Sequence, residues 1–357
     1  MEGLMNRTFN KVVGTGGIGT GMLFLSRQNE TLGRSESRLV ELSDAKDYCK
    51  QHIVLYYTTQ LLLGQAAVFP IGYVGADAMG EALLTDLEEI GMKADYVGKS
   101  TAYGTMLSIC LQYPDKEGCN FTATNNATLC VTPAYIRECM EKIGIDSHTV
   151  VAAIPEVSLE ARKELLQIGH EKKALCAASV PMAEAKDFVN NGMVELCDIL
   201  AVNEEEAIAV ANAFELSDPA DFQALYDKLR QINPEIMLLI TLGKNGAVTF
   251  YNGNAEKVPP LSTKVVNTTG AGDACLGGML AGLVHGYPFQ KGRDDLAFGE
   301  TELSSAVELG TLCAGIAVSF EDSIARFVTR ENLEGYIREK GWKAIWQFRL
   351  QEYVVNR

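Results

Sequence analysis

The chain has 357 residues and sets 46 acidic side chains against 31 basic ones, a formal charge of −15. That balance excludes a nucleic-acid-binding surface, which needs a basic footprint, but leaves room for a local basic pocket around a nucleotide. A content of 47% hydrophobic and 22% charged residues is ordinary for a globular protein, and the length suits one large α/β domain spanning 1–357.

In chain order, a short strand is predicted over 11–16. Residues 22–25 and 37–42 read as extended around a polar stretch at 26–35, and Asp44 is the predicted cap of a helix running to 63. A buried strand over 66–74 leads into a helix over 76–91 that Gly91 closes. Residues 103–112 and 119–123 are extended and flank a hairpin connection at 114–118. With parts of 20–42, the stretch 95–123 supplies a small antiparallel sheet outside the main one. From 149 onward, strands over 149–153, 174–178, 198–202 and 236–241 alternate with helices near 158–172, 182–191, 203–213 and 219–231. This is the signature of βαβ units and a parallel sheet. Asn245-Gly246 turns a hairpin into 247–251, and three helices follow at 271–285, 302–319 and 331–342.

The nine cysteines form no CxxC pair and no zinc-type grouping with histidine, so free, mostly buried thiols in a reducing compartment are expected. Residues 1–11 lack the apolar core of a signal peptide, and no apolar run reaches the ~18 residues of a membrane span. The expectation is a cytoplasmic protein with neither a membrane nor a nucleic-acid partner.

Gly14-x-Gly16-x-x-Gly19 matches the dinucleotide fingerprint as a string. That motif needs a helix after its glycines, and Met22-Leu23-Phe24-Leu25 does not supply one; a tight strand-to-strand passage is expected instead. The more specific segment is Asn267-Thr268-Thr269-Gly270-Ala271-Gly272-Asp273, followed by small and apolar residues over 274–284. Its glycines let backbone N–H groups close on an anion, and a helix N-terminus adds positive potential. Asp273 then serves either as a proton acceptor in phosphoryl transfer or as an acid that complements the helix dipole.

This segment resembles the C-terminal signature Asp-Thr-x-Gly-Ala-Gly-Asp of the ribokinase-like (PfkB) carbohydrate kinases, with Asn267 at its first position. Three further elements are similar to that family in the same order. They are Gly72-x-x-Gly75-x-Asp77-x-x-Gly80, Asn203-Glu204-Glu205-Glu206 for Asn-x-x-Glu, and Thr241-Leu242-Gly243-Lys244-Asn245-Gly246 for the nucleotide-side strand and turn. The resemblance covers about 12–329. It implies an α/β/α sandwich with a mainly parallel sheet and a small β lid, and ATP-dependent phosphorylation of an alcohol group on a sugar or sugar-like molecule.

It also implies residue roles. Asp273 takes the hydroxyl proton, while Gly270, Ala271 and Gly272 form an anion hole. Asn203 and Glu206 organise Mg²⁺ through its waters, a role compatible with capping a helix. Thr241, Gly243, Gly246, Thr269 and Thr311 line the nucleotide, and Lys244 either neutralises phosphate or is a solvated turn residue. A nucleoside kinase of the same fold and a non-catalytic sugar or nucleotide sensor are the alternatives.

The chain departs from the family on the substrate side. Gly21 stands where a hydroxyl-binding acid is expected, and Lys50-Gln51-His52-Ile53 replaces a glycine-rich element ending in asparagine. Gly19, Gly21, Arg34, Arg38, His52 and Thr105 are the remaining candidates for substrate contact. The arginines are equally readable as a solvated loop, and His52 as a packing histidine. Asn267 in place of an acid weakens the case for a bound monovalent cation. The exposed lid offers a homodimer face through edge pairing.

Overall fold

The computed structural model describes residues 8–62, 64–115, 118–292 and 303–340. The helix end at 63, the middle of the hairpin connection at 116–117, the helix start at 302 and the helix end at 341–342 lie outside them.

The elements run β1 (Lys11–Thr15), β2 (Gly19–Leu25), β3 (Glu41–Leu42), β4 (Asp47–Tyr48), α1 (Lys50–Leu62), β5 (Ala67–Gly75), α2 (Ala78–Ile90), β6 (Val97–Ser100), β7 (Met106–Gln112) and β8 (Gly118–Thr122). They continue with α3 (Pro133–Ile143), β9 (Thr149–Ala153), α4 (Leu159–Glu171), β10 (Leu175–Ala178), α5 (Ala185–Asn190), β11 (Ile199–Asn203), α6 (Glu204–Ala213), α7 (Phe222–Ile232), β12 (Met237–Thr241), β13 (Ala247–Tyr251) and β14 (Asn254–Val258). Helices α8 (Ala271–Val284), α9 (Ala306–Ala317) and α10 (Arg330–Glu339) follow.

Nine strands form the large sheet in the order β14-β13-β12-β11-β10-β9-β1-β5-β6. From β6 to β12 every pairing is parallel, and the two pairings of β13, with β12 and with β14, are antiparallel. Its strands are apolar on both faces, as a sheet covered by helices on both sides requires. Val12 and Leu239 point to one core with α1, α2, α8, α9 and α10, whereas Val13 and Leu238 point to the other with α3 to α7. The result is a three-layer α/β/α architecture.

The second, smaller sheet has the order β3-β2-β7-β8, with β4 also paired to β2. It differs from the sequence reading in three respects. The β2–β7 pairing is parallel, so the sheet is mixed. Within 95–123, residues 97–100 are not part of it but form the edge strand of the large sheet. Asp44 caps no helix, because the two-residue strand β4 intervenes before α1 starts at Lys50. Helix α3 and strand β14 were also absent from that reading. The passage from β1 to β2 is strand to strand, as the missing helix after Gly19 demands.

Candidate active site

The Asn203 segment ends β11 and starts α6. Its side chain accepts from the Glu206 N–H at 2.8 Å, and Glu206 Oε2 accepts from the Asn203 N–H at 2.9 Å, a reciprocal capping box. The local sequence thus fixes both side chains at the C-terminal edge of the parallel sheet, where open α/β sheets bind ligands. Burial raises the Glu206 carboxyl above its usual range.

Gly270 takes φ 78° and begins α8. A Cβ there would come within 2.7 Å of the Ser323 carbonyl, so both conformation and space require glycine. A Cβ on Gly272 would meet nothing within 4 Å, so no protein neighbour crowds this position and its amide is open to a ligand. Ala274 makes the first intrahelical bond, to Gly270 O at 2.8 Å, which leaves the preceding N–H groups of Gly272 and Asp273 as helix-start donors. The Ala271 N–H turns back to Thr268 O at 3.3 Å.

Asn203, Glu206, Thr241, Gly243, Gly246, Gly270, Ala271, Gly272, Asp273 and Thr311 all line one cavity of about 730 Å³, a size typical of small-molecule sites. Leu239, Ala247, Leu261 and Val318 make part of its wall apolar. Lys244 lines it as well. Gly246, at φ 83°, has no room for a Cβ, which would lie 2.1 Å from Val258 O. Thr269 is a correction: it is exposed, its N–H bonds Asn267 Oδ1 at 3.0 Å, and Thr268 lines the cavity in its place.

The sequence reading missed what faces Asp273. Lys50, the first residue of α1, puts Nζ 3.9 Å from Asp273 Oδ1. Burial raises the Asp273 carboxyl, the Lys50 charge opposes that rise, and the Asp47 charge adds to it. Asp273 in turn raises the Lys50 ammonium. Glu156 follows β9, has a left-handed backbone (φ 78°), and accepts from the Lys50 N–H at 3.1 Å. Burial pushes its carboxyl up to about 7. One signal for Lys50 was legible: a cation at a helix N-terminus opposes the macrodipole and calls for a reason.

The proposed substrate contacts fare differently. His52 is fully buried, with Nε2 2.7 Å from Asp86 Oδ2, so it packs the α1–α2 contact and does not reach a substrate. Thr105 is also buried. Its hydroxyl donates to Asp77 Oδ1 at 2.7 Å and accepts from the Gly75 N–H at 2.9 Å, which fixes a loop. Arg38 is held by Glu30 O at 2.5 Å and by Glu36 at 3.6 Å, and Arg34 sits exposed on the same loop. Arg34 is thus solvated, while the Arg38 side chain is largely covered by its local partners. Gly19 is packed under β7, where a Cβ would lie 2.4 Å from Met106 O. Gly21 has no side chain to bind substrate, but its space is used by Asp47, as developed below.

Residues 59–329 match the model of the pfkB family carbohydrate kinases, and the chain belongs to that family. It is 28% identical to a ribokinase of Schizosaccharomyces pombe over 235 residues, 64% of this chain and 70% of that protein. The fold is similar to ribokinase from Giardia lamblia, with TM-score 0.75 and 16% identity over 92% of this chain and 99% of the other. It is also similar to a nucleoside kinase of Burkholderia thailandensis solved with inosine, with TM-score 0.70 and 17% identity over 93% and 99%. The protein is therefore a carbohydrate kinase. No helix among the described residues is long and apolar enough to cross a membrane.

Proposed function

We propose that the chain transfers the γ-phosphoryl group of ATP to an alcohol group of a sugar or sugar-like molecule, with Asp273 as general base. The observation that carries this reading is the position of Asp273. It lies in the first turn of α8, on the nucleotide cavity, opposite Lys50.

In this mechanism the acceptor oxygen attacks the γ-phosphorus while its proton passes to the Asp273 carboxylate. The bond from the γ-phosphorus to the bridging oxygen breaks, and ADP leaves with that oxygen. The Gly270 turn and the helix-start N–H groups of Gly272 and Asp273 face the charge that develops on the transferring group, while the Ala271 N–H is spent on Thr268 O, and Lys50 lies beside the same point. Burial makes Asp273 a stronger base than a solvated carboxylate, while Lys50 keeps it ionised. Glu156 holds the first turn of α1 and so positions Lys50. The small sheet acts as a lid that excludes water.

Mg²⁺ fits this donor set. Among the described residues no cluster of three acids or other ligands forms a cage, and a magnesium ion held chiefly by phosphates and water needs none. The capping bond uses Glu206 Oε2, and Oε1 is the oxygen offered to a metal-bound water. When bound, the ion would be held through its waters by Asn203 and Glu206 and would neutralise phosphate charge. On the lid, Met22, Ile109 and Phe121 are register partners across three strands and all exposed, and this row is the face we propose for a homodimer.

ADP release measured with ribose, fructose, polyols, sugar acids and nucleosides tests the reading. Turnover on a sugar or polyol supports it, and turnover confined to nucleosides moves the assignment to a nucleoside kinase. Tight binding of one compound with no turnover on any of them would make the protein a sensor.

A further inference from the structure

The small sheet has two unlike faces. Met22, Ile109 and Phe121 occupy the outer one. Gly21, its partner Ser108 on β7 and Thr122 beyond it on β8 occupy the other, with Cys110 two residues along. Ser108 and Thr122 share a hydrogen bond of 2.8 Å, so this face is polar and ordered. Strand β4 contributes one charged group to it. Asp47 is the antiparallel partner of Gly21, and a Cβ placed on Gly21 would lie 2.1 Å from Asp47 Oδ2. Any side chain at position 21 would displace that carboxylate. The absence of a side chain at 21 and the presence of an acid at 47 are therefore one feature, split across a strand pair.

The carboxylate is only half satisfied. Oδ2 accepts from the Cys110 thiol at 3.3 Å, a weak donor. Oδ1 is buried and has no hydrogen-bond partner among the described residues. Buried carboxylate oxygens without a donor are costly, and one beside an active site points to a donor brought by a ligand. Asp47 lies three residues before Lys50, whose ammonium faces Asp273, and its charge is felt at Asp273 and at Glu156, so the carboxylate is near the proposed base.

We propose that Asp47 is the acceptor-binding carboxylate of this kinase, taking hydrogen bonds from neighbouring hydroxyls of a neutral polyol or sugar. The proposal rests on the kinase reading for the identity of the bound molecule. The position held by Gly21 is where the family resemblance expects an acid, and here the acid arrives from the adjacent strand. The local charge balance sets the substrate class. Lys50 offsets Asp273 and Glu156, and Asp47 adds a further negative charge felt at both, so an acceptor carrying its own carboxylate or phosphate meets repulsion there. Neither Arg34 nor Arg38 is among the charges acting on Asp273 or Glu156.

The test uses the full-length chain with ribose, fructose, myo-inositol and inosine as neutral probes, and gluconate and fructose 6-phosphate as anionic ones. Binding is read by calorimetry and turnover by ADP release. The wild type should bind a neutral probe best, and its analogue lacking one hydroxyl of the contacted pair should bind about 10- to 100-fold more weakly, as for loss of a hydrogen bond to a charged group. Asp47→Asn and Asp47→Ala should raise KM for that probe by a similar factor. Both should leave KM for ATP unaltered, and both should lose discrimination against the deoxy analogue. Gly21→Asp combined with Asp47→Gly returns the acid to the first strand and should restore binding in part.

If Asp47 only braces Cys110, the variants will shift thermal stability and leave the acceptor KM and the deoxy discrimination unchanged, which overturns the proposal. Preferred binding of an anionic probe, or of none of the neutral ones, also overturns it. Binding without turnover that still depends on Asp47 would sink the kinase reading and keep this one.

Discussion

Apart from Lys50, Pro155 and Ser179, every residue lining the cavity proposed for the nucleotide lies between Ala201 and Val318. The acceptor side is gathered from the β1–β2 passage, β4, the start of α1, β7 and Glu156. The first region works mainly through backbone: a left-handed glycine, helix-start N–H groups and a capping box. The second works through side chains that meet only when strands pair. Backbone chemistry dictates residue types at fixed spacing, and side-chain chemistry can be supplied from any neighbouring strand. A protein can therefore keep one end recognisable while rewiring the other.

The largest expected effect tests the backbone-built end. Asp273→Asn should lower turnover by about 100- to 10,000-fold, the range for loss of a general base, and leave ATP binding near wild type. Undiminished turnover would refute the assigned base. Lys50→Met tests the junction of the two regions and should cost about 100-fold in kcat/KM, comparable to loss of one electrostatic stabiliser. It carries a second signature. Lys50 opposes the rise of the Asp273 carboxyl, so its removal lets that carboxyl rise further, and the acid limb of kcat/KM should move to higher pH. An unmoved limb would mean that Lys50 does not govern the ionisation of Asp273.

The contrast between the two regions also explains what was legible in the sequence. The alternation after residue 149 appears as strands β9 to β12 and their helices because parallel strands and amphipathic helices impose periods on the string. Asn203 and Glu206 stood out through the family resemblance, and their capping role was legible because a capping box fixes their spacing. Gly21 was visible only as a loss. Nothing local links it to Asp47, which lies 26 positions later and meets it through two-residue strand pairing too short to leave a period. Glu156 likewise reaches Lys50 through tertiary contact alone. His52 looked like a candidate because its polarity was conspicuous on an apolar helix, but it is buried in the core with Nε2 beside Asp86 of α2.

Glu156 offers a smaller, thermodynamic probe of the acceptor side. Its carboxyl sits at about 7 in the folded protein against 4.5 for an unperturbed glutamate. Between those values the folded state keeps a proton that the unfolded state releases. Stability from this group is thus fully present below about 4.5 and declines as pH rises toward about 7. The limiting slope is about −1.4 kcal/mol per pH unit. Glu156→Gln removes the titration, so the variant should gain stability relative to wild type across that window in urea unfolding. Parallel stability curves would show that Glu156 is not held protonated.

The smallest effect concerns the hinge between the two regions. The Asn267 side chain donates to Glu321 O at 2.8 Å and accepts from the Thr269 N–H at 3.0 Å, tying the turn before Gly270 to the 321–323 segment. That segment in turn holds β4, because Asp322 accepts from the Lys46 N–H at 2.8 Å and Ser323 Oγ accepts from the Tyr48 N–H at 2.9 Å. The strand carrying Asp47 and the turn carrying the anion hole are thus fastened to one short stretch of chain. A neutral amide makes this connection with its own N–H, where an acid would leave two oxygens facing a carbonyl and need a cation between them. We expect wild-type turnover to agree within about twofold in potassium and tetramethylammonium salts. Asn267→Asp removes the donor and should lose about fivefold in tetramethylammonium, as for one hydrogen bond of ~1 kcal/mol, with recovery in potassium. A wild-type enzyme that already requires potassium would show that the amide does not do the cation's work, and the two regions would then be joined by an ion.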